Sequence, residues 1–233
     1  MENLNVKGRF FSEKQLEIIV AFFLGVTALL SAWASWIGSL HGGNQSTNYT
    51  MSNNLASEGN SEYVADLQHM NNDMGIWGQI STLMVDEKFS AVDTSDKLAE
   101  KAQYLLSNAN NEAFIDAVAW AMAETAKKDD GSIVSPFEQE GLIESYFVDA
   151  DSLLAESQTV LEQGKQDNAN GDAYNLVTVI YTVVLFLLGI VGTLKLMPNR
   201  EILLGFSVLC FLIATIYMFT IPMPTGFSLL NFF

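Results

Sequence analysis

The chain has 233 residues, with 27 acidic and 11 basic side chains and a formal net charge of −16. This acid excess argues against nucleic-acid binding, because phosphates would be repelled, and a single cysteine excludes an intramolecular disulfide. Residues 41–172 hold 23 acids and 6 bases, a net charge of −17, whereas the rest of the chain holds 4 acids and 5 bases. The negative charge is therefore confined to one central segment.

Three apolar stretches contain no charged residue and no histidine. They cover residues 18–40, 174–194 and 202–221, which are 23, 21 and 20 residues long. About 20 helical residues, each rising 1.5 Å, span a hydrocarbon core of roughly 30 Å. The sequence therefore predicts an all-α membrane protein with three spans and a helical-bundle insert between the first two.

Basic residues in the short segments predict the orientation of the chain. Lys7, Arg9 and Lys14 precede the first span, and Lys195 and Arg200 lie between the second and third. Cations near the ends of spans favour the cytoplasmic side. We therefore expect a multi-pass protein of the plasma or inner membrane, with the N-terminus inside, and the acidic insert and the C-terminus outside.

A secretory signal peptide is the alternative interpretation of the first stretch. Residues 18–30 would be its apolar region and Ala32-Trp33-Ala34 its cleavage site. The apolar run continues to Leu40, which is too long for such a region. A first transmembrane helix is therefore the preferred prediction.

These features divide the chain into seven segments. They are a cytoplasmic arm (1–14), helix one (15–40), the acidic extracytoplasmic domain (41–172), helix two (173–195), a cytoplasmic loop (196–201), helix three (202–221) and an outer apolar tail (222–233). Gly42-Gly43 is either a hinge or part of a continuing helix. The tail lies either in the outer interface or against a neighbouring subunit.

Four helical patterns follow in the insert. The first is an apolar stripe with steps of three and four residues, formed by Tyr63, Leu67, Met70, Met74, Trp77, Ser81 and Met84. Helices are also predicted over 95–107, capped by Thr94 or Ser95, and over 112–128. A fourth begins at Ser135-Pro136 with a capping box completed by Glu138, and ends in a turn over 168–172.

Several short motifs together resemble a group of small prokaryotic membrane proteins of uncharacterised function. They are Trp33-Ala-Ser-Trp36, Gly43-Asn44-Gln45, Tyr49, Ser135-Pro136-Phe137-Glu138, Gly171-Asp172-x-Tyr174, Leu185-Phe186 and Gly189. The likeness begins at about Leu16 and is poor over residues 86–112. It implies three spans with a helical extracytoplasmic insert, and it implies no catalytic activity.

The first span offers the main candidate site. Small side chains stripe it and would let helix backbones approach closely in lipid: Gly25, Ala28, Ala32, Ser35 and Ser39. They pack either against the chain's own hairpin or at a subunit interface.

Two pairs of residues complete the candidate site at the outer end of this span. Asn44 and Asn48 belong to an uncharged amide-rich neck, which either lines a vestibule or is simply solvated. Trp33 and Trp36 are expected to anchor the helix at the membrane interface.

Signals for metal binding, cofactors and catalysis are weak. The paired carboxylates, such as Asp129-Asp130, match no EF-hand spacing, and solvated surface is the preferred interpretation. His41 is expected to cap the first span, and His69 to lie on a polar helix flank. We expect no enzyme, no metal and no cofactor.

Two functions are compatible with these features. The first is a homo-oligomeric, non-enzymatic membrane protein in which an acidic vestibule attracts cations above an apolar pore. The alternative is an extracytoplasmic binding, scaffold or sensor module that is anchored by three spans and acts through another membrane or extracytoplasmic protein. The lipid bilayer is a partner in both.

Overall fold

The computed structural model describes residues 11–90, 95–194 and 199–228, and every regular element within these ranges is helical. The elements are α1 (Glu13–Lys88), α2 (Ser95–Leu106), α3 (Glu112–Thr125), a 3₁₀ turn (Pro136–Glu138), α4 (Leu142–Tyr146), α5 (Val148–Thr193) and α6 (Arg200–Thr220). Helices α1, α5 and α6 are each long and apolar enough to cross a membrane. The all-α class and the three candidate spans are thereby confirmed for the described residues.

The chain forms two compact units. The described residues up to Thr50 and from Val160 onward form one, which we call the three-helix unit. Met51–Thr159 forms the other, which we call the insert unit. Helices α1 and α5 contribute residues to both units, and α6 belongs to the three-helix unit alone.

The core of the three-helix unit follows a spacing of three and four residues. On α5 the buried positions are Tyr174, Val177, Tyr181, Val184, Leu188 and Val191; on α6 they are Leu204, Ser207, Phe211, Ala214 and Met218. On α1 they include Leu16, Val20, Thr27, Ala34, Ile37 and His41. An average step of 3.5 residues keeps one stripe of each helix against its neighbours, as in a coiled coil.

Glycines allow α1 and α5 to approach closely. A Cβ placed on Gly38 would lie 3.3 Å from the Cβ of Tyr174, and one on Gly164 would lie 2.6 Å from the Tyr49 ring. As residue numbers rise along α1 they fall along α5, so the two helices are antiparallel.

One expected interruption is absent from the described helices: α5 runs through 168–172, where a turn was predicted. At Gly42-Gly43, where a hinge and a continuing helix were both possible, α1 continues as a helix. The prediction of the turn over 168–172 is therefore wrong. Gln45 on α1 donates to the side-chain oxygen of Asn168 at 2.8 Å, so packing between the helices outweighs the turn preference of the asparagines.

The insert unit has its own core. It is formed by Ile76, Trp77, Ile80, Ala102, Phe114, Ala117, Val118, Ala121, Leu142 and Tyr146. The capping box at Ser135 and Glu138 is present, but it opens a 3₁₀ turn rather than a long helix. Gly141 follows with a φ of +83°, a left-handed conformation that glycine adopts without strain.

The stripe expected on the later part of α1 is only partly correct. Tyr63 and Met74 are exposed, whereas Asp66 and Asp73 are buried. The pattern of apolar residues did not predict which positions of α1 are buried here, because two of the buried positions, Asp66 and Asp73, carry carboxylates.

Replacing Gly38 by leucine tests the close approach of α1 and α5. We expect Gly38→Leu to destabilise the protein by about 1–3 kcal/mol, the usual cost of forcing a larger side chain into packed surroundings. Gly43→Leu is the matched control, because nothing lies within 4 Å of a Cβ at that position. Thermal unfolding in lipid nanodiscs gives the melting temperature of each variant. Equal melting temperatures for Gly38→Leu and Gly43→Leu would contradict the close packing at Gly38.

Candidate functional site

The small-residue face of α1 is exposed in the single chain. Gly25, Ala28, Ala32, Ser35 and Ser39 all lie outside the buried stripe that α1 presents to α5 and α6. Packing of these residues against the chain's own hairpin, one of the two interpretations above, is therefore not observed. The large exposed side chains Ile18, Phe22 and Leu29 lie on a neighbouring strip of the same helix.

The amides of Asn44 and Asn48 have partners within the chain. Asn44 donates to the Thr225 carbonyl oxygen at 3.2 Å, and Asn48 donates to Oδ2 of Asp167 at 3.1 Å. Both side chains are therefore turned toward the chain's own helices and tail. The exposed neck residues on the same side of α1 as the small-residue face are instead Gly43, Ser46 and Thr50.

His41 and Asp167 form a buried pair between α1 and α5. Nδ1 of His41 lies 2.8 Å from Oδ1 of Asp167, and the imidazole is 1% exposed. Nε2 lies 3.1 Å from the carbonyl oxygen of Pro222, and the ring stacks on Tyr174. His41 is therefore buried within the unit rather than capping the span. Its position in the buried series 34, 37 and 41 is the signal that could have revealed this.

The segment that follows α6 packs against α1 near Trp33 and Trp36 and against α5 near Tyr174. Phe227 contacts both Trp33 and Trp36, with ring centroids 6.1 and 5.8 Å apart, and the two tryptophans contact each other at 5.4 Å. Tyr174 donates to the carbonyl oxygen of Ile221 at 3.4 Å. The two expected interface anchors thus also hold the described part of the tail.

An ion pair joins the beginning of α1 to the beginning of α6, away from the segment that follows α6. Arg200 is buried, and its Nη1 lies 2.8 Å from Oε2 of Glu13, while its Nε donates to the Val191 carbonyl oxygen at 2.8 Å. A buried guanidinium is costly unless it is paired. This contact fixes the beginning of α6 against the beginning of α1 and the end of α5, so α1 and α6 are parallel.

A second buried polar network lies in the insert unit. Asp73 accepts hydrogen bonds from the Tyr146 hydroxyl at 2.8 Å and from the Asn110 backbone at 3.0 Å. Burial, and then the bond to Asp73, raises the pKa of Tyr146. The phenol therefore remains a donor, and the network joins α1, α4 and the α2–α3 connection.

Asp66 is the least satisfied acid of the insert unit. Its Oδ2 is buried without a hydrogen-bond partner among the described residues. Burial raises the pKa of its carboxyl; nearby His69 opposes this shift and Asp149 adds to it. The protonated form is therefore favoured by folding.

A shallow groove of about 560 Å³ lies on the insert unit. Its lining residues are Leu83, Lys97, Glu100, Lys101, Tyr104 and Leu105. Tyr104 is 73% exposed, and Lys97 and Lys101 line the groove beside Glu100. The groove therefore combines apolar, cationic and anionic groups.

No group of three or more His, Cys, Asp or Glu side chains within 11–90, 95–194 and 199–228 is arranged to hold a metal ion. Comparisons with family models, curated proteins and solved structures gave no match.

The raised pKa of Asp66 predicts a pH-dependent stability. An acid whose pKa is raised by folding costs stability once the pH exceeds that pKa. We expect Asp66→Asn to raise the melting temperature near pH 7, and this gain to disappear as the pH falls below about 4, where carboxyls are protonated even when unfolded. Exposed Asp151→Asn is the control, and a gain of equal size in both variants would contradict the prediction.

Proposed function

We propose that this protein is a non-enzymatic, homo-oligomeric protein of the plasma or inner membrane, with the N-terminus in the cytoplasm and the acidic insert outside. The observation that carries the proposal is the exposed face of Gly25, Ala28, Ala32, Ser35 and Ser39 on α1. The opposite face of α1 already packs on α5 and α6. The small-residue face therefore remains for a second copy.

In a lipid bilayer, a face of small side chains favours contact between helices. Acyl chains are as apolar as leucine, so helices associate in a bilayer by close packing, and small side chains permit the closest approach. The adjoining strip carries Ile18, Phe22 and Leu29, which suit contact with lipid. One strip of α1 thus favours helix contact and the next favours acyl chains.

The same assembly supports a cation pathway. Copies gathered through this face bring the hydroxyls of Ser35, Ser39 and Ser46 to the outer part of a shared axis. The insert, with a net charge of −17 over residues 41–172, raises the local concentration of cations at that mouth. We therefore propose a narrow pore with an acidic vestibule, which Asn44 and Asn48 do not line.

Assembly is tested by two matched glycine variants. Gly25→Leu is expected to dissociate the oligomer, because leucine separates the facing helices. Gly205→Leu on α6 is the control, because both glycines are exposed and nothing lies within 4 Å of a Cβ at either position. Native mass spectrometry from nanodiscs reads the subunit number. An oligomer that survives Gly25→Leu, or a protein that is monomeric to begin with, contradicts the proposal.

The pathway is tested separately in planar bilayers. We expect the purified oligomer to conduct cations in preference to anions, and Gly25→Leu to abolish the current. If an intact oligomer passes no current at any voltage or membrane tension, the proposed pore is contradicted, while the proposed assembly is not. That result would favour a binding or scaffold module, whose contact surface is the groove that contains Lys97, Lys101 and Tyr104.

A further inference from the structure

Both ring nitrogens of His41 face hydrogen-bond acceptors. Nδ1 is 2.8 Å from Oδ1 of Asp167, and Nε2 is 3.1 Å from the carbonyl oxygen of Pro222. A neutral imidazole carries only one N–H. Both contacts can be hydrogen bonds only when the side chains of His41 and Asp167 together hold two protons. The pair is then either an imidazolium with a carboxylate or a neutral imidazole with a carboxylic acid. In either form the Nε2 proton is donated to Pro222.

Loss of one proton has a defined consequence. The proton that remains stays between Nδ1 and Asp167, because a carboxylate is a stronger acceptor than a peptide carbonyl. Asn48 continues to donate to the other carboxylate oxygen. The lone pair of Nε2 then faces the carbonyl oxygen of Pro222 at 3.1 Å, so this hydrogen bond is lost and two acceptors oppose each other.

The Pro222 carbonyl belongs to the segment that follows α6. Its other attachments include the bonds from Tyr174 to the Ile221 carbonyl oxygen and the Met223 sulfur, the bond from Asn44 to Thr225, and the contacts of Phe227 with Trp33 and Trp36. Residues 221–228 contain no titratable side chain. The titratable groups that face His41 are therefore Asp167 and Tyr174, both on α5.

We propose that His41 and Asp167 form a proton-operated latch for residues 221–228. With two protons the pair holds the segment against α1 and α5; with one proton it releases the segment and uncovers Trp33 and Trp36. The geometry lies within one chain, so the latch does not depend on assembly or on a pore.

The test combines two measurements on the full chain in nanodiscs. ¹⁵N NMR of histidine-labelled protein reports whether Nε2 of His41 carries a proton, and a His69→Gln sample assigns the two rings, since these are the only histidines. Hydrogen exchange, corrected for the intrinsic pH dependence, reports the protection of the 221–228 amides. We expect that protection to fall roughly 2- to 10-fold, the net effect of losing one hydrogen bond, at the pH where Nε2 loses its proton.

Variants separate the latch from a general loss of folding. His41→Gln keeps an amide donor that does not titrate, so its protection should be nearly independent of pH. His41→Phe supplies no donor and should release the segment at every pH. An Nε2 proton that stays in place at every pH at which the protein remains folded, or protection that is unaffected when that proton is lost, overturns the proposal.

Discussion

The structure depends on one continuous contact between α1 and α5. From Val20 beside Gly192 to Tyr49 beside Gly164, the two helices of the three-helix unit run antiparallel, and at Gly38 and Gly164 there is little or no room for a Cβ. Helix α6 joins them with the same three-and-four spacing. Because this contact uses one face of α1, it also decides which face remains exposed. The small-residue face and the neighbouring strip of Ile18, Phe22 and Leu29 are both left uncovered by the chain's own packing.

Polar residues occupy buried positions of α1 in each unit. His41 is buried in the three-helix unit, and Asp66 and Asp73 are buried in the insert unit. Two of them are satisfied by specific partners, Asp167 and Tyr146. Asp66 keeps one oxygen without a partner. Such groups are costly to bury unless they are paired, so each network fixes one register of the helices more strictly than apolar contacts would.

Much of the fold could be predicted from the sequence, because its signals are local. Long uncharged runs predicted the three candidate spans, and Ser135 with Glu138 predicted a capping box. The prediction of a turn over 168–172 was wrong. Asparagines favour turns in isolation, but here they are held in a helix by partners such as Gln45. The pairing of His41 with Asp167 joins residues 126 positions apart, and no local pattern encodes such a distance. Predicting that Gly25 is exposed likewise required knowing which face of α1 is covered by α5.

The central claim is that the face of α1 not used within the chain contacts a second copy. Cysteine crosslinking in native membranes tests it most directly, in a Cys210→Ser background that removes the only native thiol. Ala28→Cys lies on the small-residue face, and Leu29→Cys, its immediate neighbour, lies about 100° around the helix. The account predicts crosslinked dimers through position 28 and few through position 29. Equal crosslinking at both positions, or crosslinking at 29 alone, would contradict it.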